Sequence, residues 1–135
     1  MKRTFDIEVS KNDEPVIVNL RLNLKGQENL ENRYKGENIL QIVYGALNNA
    51  SKMAAVLKEA LNYTGNTNSI KDGSELYDLI VDADMGGVSG FYKIMSGIAR
   101  ASGLLTEEEM NITNQNGEKM VKEAFESPNG ENLSA

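Results

Sequence analysis

The beginning of the chain alternates between apolar and polar residues, which is the period of a half-buried β-strand. Apolar residues fall at every second position in "TFDIEV" and again in "VIVNLRLNL". Between these segments, "SKNDEP" contains the Asn-Asp of a tight turn, and Pro15 stands where the second strand begins. The pattern predicts an antiparallel β-hairpin over residues 4–24. Because an isolated hairpin is marginally stable in water, its apolar face must be covered by the rest of the chain.

From Gly26 onward the apolar residues are spaced by three and four, which is typical of amphipathic helices. This spacing predicts five or six short helices over residues 26–126. Residue types that cap helix N-termini precede three of them: Asn38, Ser51, and Asp72 or Ser74. Because the strands precede the helices without alternating with them, the predicted fold is α+β and predominantly α, with an N-terminal antiparallel β-hairpin packed on the helices.

We expect one domain over residues 1–126 and a disordered tail over residues 127–135. In the helix that contains "SELYDLIVDA", Ala83 is predicted to face inward with the leucines. Thr106, with Glu109 three residues later, matches the capping-box pattern at the start of a further helix.

The stretch "VDADMGGVSG", residues 81–90, combines two acids with three glycines and invites comparison with ion and phosphate loops. Asp82 and Asp84 fit the first and third positions of a calcium loop, but Lys93 occupies the twelfth, where a bidentate Glu is needed. A phosphate loop would require Gly-Lys-Ser/Thr after a strand. The stretch is therefore predicted to be a bend between two helices.

Composition removes much of the usual catalytic chemistry. The chain of 135 residues contains no His and no Cys, so it has no Ser-His-Asp or Cys-His nucleophile system and no thiolate zinc site. We expect no enzymatic activity, no catalytic or metal-binding residues, and no cofactor. "TFDIEV" near the start is not a signal-peptide core, and no apolar run spans a bilayer, so we expect a cytoplasmic protein without a membrane partner.

Negative charge is concentrated at the end of the chain. The net charge is −6, and residues 106–135 carry seven acids and two bases, which gives −5 for this segment. An acidic protein repels a phosphate backbone, so nucleic acid is not an expected partner. A marginal helix with soft apolar residues in this acidic region is suited to binding a protein partner. The candidate partner-binding residues are Leu104, Leu105, Met110, Met120, Val121 and Phe125.

Three segments in order carry a resemblance to a known family: "VNLRLNLKGQENLENRYKGENILQIV", "MAAVLKEALNYTG" and "DGSELYDLIVDADMGGVSGFYKIMSGIARASGLL". With the acidic end, they resemble the small tail assembly chaperones of long-tailed bacteriophages, especially those of Gram-positive hosts. The resemblance covers roughly residues 4–105 and rests on element order.

The resemblance implies a viral protein that acts by protein–protein interaction. Such a chaperone binds the tape measure protein and keeps it soluble in the host bacterial cytoplasm until tail tube subunits polymerise around it. It is absent from the mature virion. The chain would be the short form of a frameshifted pair whose extension recruits the tail tube protein. Self-association is a matching expectation for exposed apolar stripes. Two alternatives stay open: a structural head–tail or tail-completion virion protein, and an acidic regulator that binds a host protein.

Overall fold

The structure, a computed structural model, describes residues 3–61, 69–70, 72–106 and 108–109. In these residues a two-stranded antiparallel hairpin is followed by five α-helices. Their bounds are β1 (Phe5–Lys11), β2 (Glu14–Leu20), α1 (Leu24–Arg33), α2 (Ile39–Gly45), α3 (Ala50–Leu61), α4 (Gly73–Asp82) and α5 (Gly87–Ala101). A single 3-10 turn (Ala46–Asn48) separates α2 from α3. Of the described residues 60% are helical, which confirms the predicted α+β class with predominant helix.

The hairpin closes through a two-residue turn. Asn12 and Asp13 have φ angles of 54° and 64°, which is the signature of a type I′ turn, whose twist matches that of the flanking strands. Lys11 pairs with Glu14 next to the turn, and the register continues to the far end of the hairpin. The alternating apolar residues of both strands face the core, as the sequence predicts: Phe5, Ile7, Val9, Val16, Val18 and Leu20.

The second strand ends at Leu20, four residues before the predicted end of the hairpin. Asn23 caps the first helix, because its side-chain oxygen accepts a hydrogen bond from the Gly26 N–H at 2.8 Å. Leu24 is therefore the first residue of α1, and its side chain is 70% exposed. The predictions that Leu24 belongs to the strand and that the helices begin at Gly26 were wrong.

Two of the predicted helix caps are confirmed. The Asn38 side chain accepts from the Gln41 N–H at 2.9 Å, and the Gln41 side chain accepts from the Asn38 N–H at 2.8 Å, which completes a capping box. Asp72 caps α4 by accepting from the Ser74 N–H at 2.9 Å.

The predicted cap of α3 was wrong. Asn49, not Ser51, accepts a hydrogen bond from the Lys52 N–H, at 3.0 Å, and the helix begins at Ala50. Asn and Ser are both good N-cap residues, so the sequence is compatible with two N-terminal ends of α3 that lie two residues apart.

The core lies between the inner face of the hairpin and the helices, with β1 against α4 and α5 and β2 against α3. Two glycines allow close approaches between separate elements. A Cβ atom built on Gly97 of α5 would lie 2.2 Å from the Phe5 ring, and one on Gly73 of α4 would lie 1.9 Å from the carbonyl oxygen of Ala54 in α3. The Phe5 ring therefore packs directly on the backbone of α5, and α4 lies against the backbone of α3.

Polar contacts also join the elements. The hydroxyls of Tyr44 in α2 and Ser96 in α5 are 3.0 Å apart, and Ser96 is buried. Burial raises the pKa of Tyr44 above its ordinary value. At the turn end of β1, the Lys11 ammonium lies 2.7 Å from the Glu75 carboxylate of α4.

Candidate functional site

The segment that precedes α1 is hydrogen-bonded to the residue that follows α5. The Leu22 N–H donates a hydrogen bond to the Ser102 hydroxyl at 2.8 Å, and Ser102 is the residue that follows α5. The Gln27 side-chain amide donates to the Leu22 carbonyl at 3.2 Å. Leu22 is buried, so the backbone is fixed where α1 begins. These bonds hold the exposed Leu24, two residues along the chain, at the same end of the molecule as Ser102.

The chain leaves α5 through a Schellman motif. The Leu104 N–H donates to the Ala99 carbonyl at 2.9 Å, and the Gly103 N–H donates to the Arg100 carbonyl at 3.2 Å. Gly103 has a φ of 79°, which a glycine adopts without steric cost. The motif fixes the direction of the backbone at Leu104.

Leu104 and Leu105 are half-buried immediately after this motif. Together with Leu24 they form a set of incompletely covered leucines that we call the apolar end. Of the predicted partner-binding residues, the structure describes only these two. The other four lie outside the described residues: Met110, Met120, Val121 and Phe125.

Leu24 was missed by the sequence interpretation, because a leucine at every second position extends the strand pattern as far as residue 24. The signal that could have found it is Asn23, an N-cap residue type placed directly before a segment with helical spacing. The first helical residue is rarely covered by its own helix, and here its side chain stays largely in solvent.

Acidic residues follow the apolar end directly. The Thr106 N–H donates to the Glu109 carboxylate at 2.8 Å, and the Glu109 N–H donates to the Thr106 hydroxyl at 3.2 Å, which confirms the predicted capping box. The hydrogen bond with the Thr106 backbone holds the pKa of Glu109 below its ordinary value, and the hydrogen bond with the Thr106 side chain lowers it further. Glu108 and Glu109 are exposed. A partner that reaches Leu104 and Leu105 therefore also meets carboxylates.

The stretch over residues 81–90 is a bend between α4 and α5, as predicted. The Met85 N–H donates to the Ile80 carbonyl at 3.0 Å, and the Asp84 N–H donates to the Val81 carbonyl at 3.0 Å. This is a second Schellman motif, in which Asp84, with a φ of 60°, stands where glycine is usual. Ala83 is exposed at the bend, so its predicted inward position was wrong; α4 ends one residue earlier, at Asp82.

Within the described residues, no three carboxylate side chains come together in a way that could hold a metal ion. None of the helices in that part of the chain is both long and apolar enough to cross a membrane. No protein-family model, no curated protein and no solved structure matches the chain.

Proposed function

We propose that the protein is a tail assembly chaperone of a long-tailed bacteriophage, without enzymatic activity, that binds the tape measure protein at the apolar end. In this proposal it works in the host bacterial cytoplasm, helps to recruit tail tube subunits, and is absent from the mature virion. The observation that carries the proposal is the exposed Leu24 at the same end of the fold as Leu104 and Leu105. The resemblance in element order supplies the identity of the partner.

A chaperone for a long apolar helical chain needs apolar side chains that it can offer and withdraw. Leucines on helix ends can bind the apolar stripe of a client helix, in the manner of helix-in-groove recognition. Leu24 is 70% exposed, and burying a leucine side chain contributes about 1.5–3 kcal/mol. A few such contacts give a reversible complex, which suits a client that must later be released.

The charge of the protein fits the same task. The net charge is −6, and most of it lies in the segment that begins next to the apolar end. When several chaperone copies are bound to one client, their like charges repel other such complexes and oppose aggregation of the client.

Co-expression with the tape measure protein of the same phage tests the proposal. The chain should raise the soluble fraction of the tape measure protein and co-purify with it. Leu24→Glu should reduce the amount that co-purifies by about five- to thirtyfold, which corresponds to about 1–2 kcal/mol of lost apolar burial. An acid at the first position of α1 complements the helix dipole, so the variant should fold.

Val88→Glu is the matched control. Val88 is 43% exposed and lies in the first turn of α5, so the exchange introduces the same charge at a similar helix position elsewhere on the surface. This control should bind normally. A tape measure protein that is equally soluble without the chain, or an equal loss with Val88→Glu, would refute the proposal. Recovery of the chain in purified virions would favour the structural alternative.

A further inference from the structure

The edge of β1 carries backbone groups that the hairpin does not use. A type I′ turn joins its first and fourth residues by a hydrogen bond, so Lys11 and Glu14 are a hydrogen-bonded pair. Hydrogen-bonded and non-hydrogen-bonded pairs alternate along an antiparallel ladder. The non-hydrogen-bonded pairs are therefore Ser10 with Pro15, Glu8 with Ile17, and Asp6 with Asn19.

At a non-hydrogen-bonded pair, both residues direct their backbone N–H and C=O away from the partner strand. The outward groups of β1 thus belong to Asp6, Glu8 and Ser10. No residue that the structure describes forms a hydrogen bond with the backbone N–H or C=O of these three. These outward N–H and C=O groups can therefore pair with the backbone of a further strand.

The two edges of the hairpin are not equivalent. The β2 edge begins with Pro15, which has no N–H to offer, and proline is a common device against strand addition at an edge. The β1 edge has neither a proline nor a bulge. A shallow groove of about 310 Å³ lies at the turn end of the hairpin, lined by three consecutive residues of β1, by Asp13 and Pro15, and by Ala83 after α4.

Charge determines what can pair there. Asp6 and Glu8 are exposed. A hydrogen bond from the Asn19 amide, and a second one from the Thr4 hydroxyl, hold the pKa of Asp6 below its ordinary value. Suppose that the β1 strands of two copies pair antiparallel. If the pairing is centred on Glu8, the two Glu8 residues are opposite each other; if it is centred on Ile7, Asp6 of each copy is opposite Glu8 of the other. Like charges directly opposite are destabilising. In these two registers the acids oppose pairing with a second copy, whereas they favour pairing with a basic strand.

We infer that the β1 edge, formed by the backbone of Asp6, Glu8 and Ser10, binds an extended segment of a partner protein as a third strand. The segment has Lys or Arg at alternate positions, opposite the two acids. The backbone hydrogen bonds supply most of the affinity, and the alternate side chains select the partner. The inference does not depend on the apolar end and would stand if Leu24 bound nothing.

The test uses the full chain and a seven-residue peptide, the length of β1, in which Lys and Val alternate. Amide hydrogen exchange is followed by NMR with and without the peptide. The peptide should protect the amides of Asp6, Glu8 and Ser10 and leave those of Ile17 and Asn19 unchanged. A peptide with Glu in place of every Lys should not bind, and added salt should weaken binding of the Lys peptide.

Two proline variants test the edge itself. Glu8→Pro removes an outward N–H from β1, and Ile17→Pro removes the equivalent N–H from β2 at the same cross-strand pair. Neither substitution removes a hydrogen bond of the hairpin. Compared with Glu8→Gln, which removes the same charge, Glu8→Pro should weaken peptide binding by a further factor of about three to ten, the worth of one backbone hydrogen bond, whereas Ile17→Pro should have no effect. Glu8→Gln should weaken binding by up to about fivefold, as expected for one exposed ion pair.

Several outcomes would overturn the inference. These are protection at Ile17 and Asn19, equal binding of the Glu peptide, or an equal loss with both proline variants. Protection of the β1 amides that increases with protein concentration in the absence of peptide would show pairing between copies instead. If circular dichroism shows that Glu8→Pro does not fold, the exchange measurements on the unmodified chain with the two peptides decide alone.

Discussion

Replacing Gly73 with alanine tests how closely α4 lies on α3. The φ of Gly73 lies outside the left-handed region, so alanine can adopt its backbone conformation. Alanine is also the better helix former by up to about 1 kcal/mol. Helix propensity alone therefore predicts that Gly73→Ala stabilises the protein.

The structure predicts the opposite sign. The new Cβ would lie 1.9 Å from the Ala54 carbonyl oxygen and 2.9 Å from the Lys58 nitrogen, and both atoms belong to the backbone of α3. Carbon and carbonyl oxygen need about 3.3 Å, so α4 must move away by more than about 1 Å. That shift loosens the packing of Leu76 and Ile80, which are fully buried. Overpacking of this kind costs about 1–3 kcal/mol, sometimes more, and outweighs the propensity gain.

Urea unfolding followed by circular dichroism measures the effect. We expect Gly73→Ala to lower the free energy of unfolding by about 2–3 kcal/mol, with an unchanged m-value. The melting temperature should fall by about 6–18 °C for a chain of this length. Ser74→Ala, one residue along and exposed, is the control and should change the stability by less than about 0.5 kcal/mol. A Gly73→Ala protein as stable as the unmodified chain would show that the two helices are farther apart than described.

Two further predictions concern backbone conformation and charge. Asp84 and Gly103 both occupy the left-handed position of a Schellman motif. Asp84→Gly should therefore raise the free energy of unfolding by about 0.5–1 kcal/mol, and Gly103→Ala should lower it by about 1 kcal/mol. Urea unfolding of both variants measures these changes, and effects of the same sign would contradict the prediction. The pKa of Asp6 lies below its ordinary value of 3.8, so the stability it contributes is complete above that value and is lost as the pH falls through the lower folded-state pKa. An NMR titration should show the pKa of Asp6 rising toward 3.8 in Asn19→Ala, and an unchanged pKa would exclude the Asn19 hydrogen bond as the main cause.

Much of the fold could be predicted because local and tertiary preferences agree. The two alternating segments form the two strands, and the Asn-Asp between them forms their turn. The errors fall where two local rules compete. At Leu24, the alternation of apolar and polar residues continues by chance into α1, which Asn23 caps. At the start of α3, Asn49 accepts the capping hydrogen bond in place of Ser51.

The apolar end could be predicted only in part. Leu104 and Leu105 stand out because a C-cap glycine precedes them and a capping box follows them. Leu24 could not be added to them, because the hydrogen bond from Leu22 to Ser102 joins residues 80 apart in sequence. The outward direction of the Asp6, Glu8 and Ser10 backbone groups follows from the register and the turn type, which a sequence pattern suggests but does not fix.

The contact between Phe5 and Gly97 also sets an order of events during synthesis. The hairpin is complete once Leu20 has been added, yet the part of its inner face that α5 covers must wait for more than seventy further residues. At about 5–20 residues per second, this takes about 4–16 s. During that interval the nascent chain presents an unfinished apolar surface and an open strand edge to the ribosome's surroundings. We therefore expect the nascent chain to be a substrate of cellular chaperones until α5 has emerged.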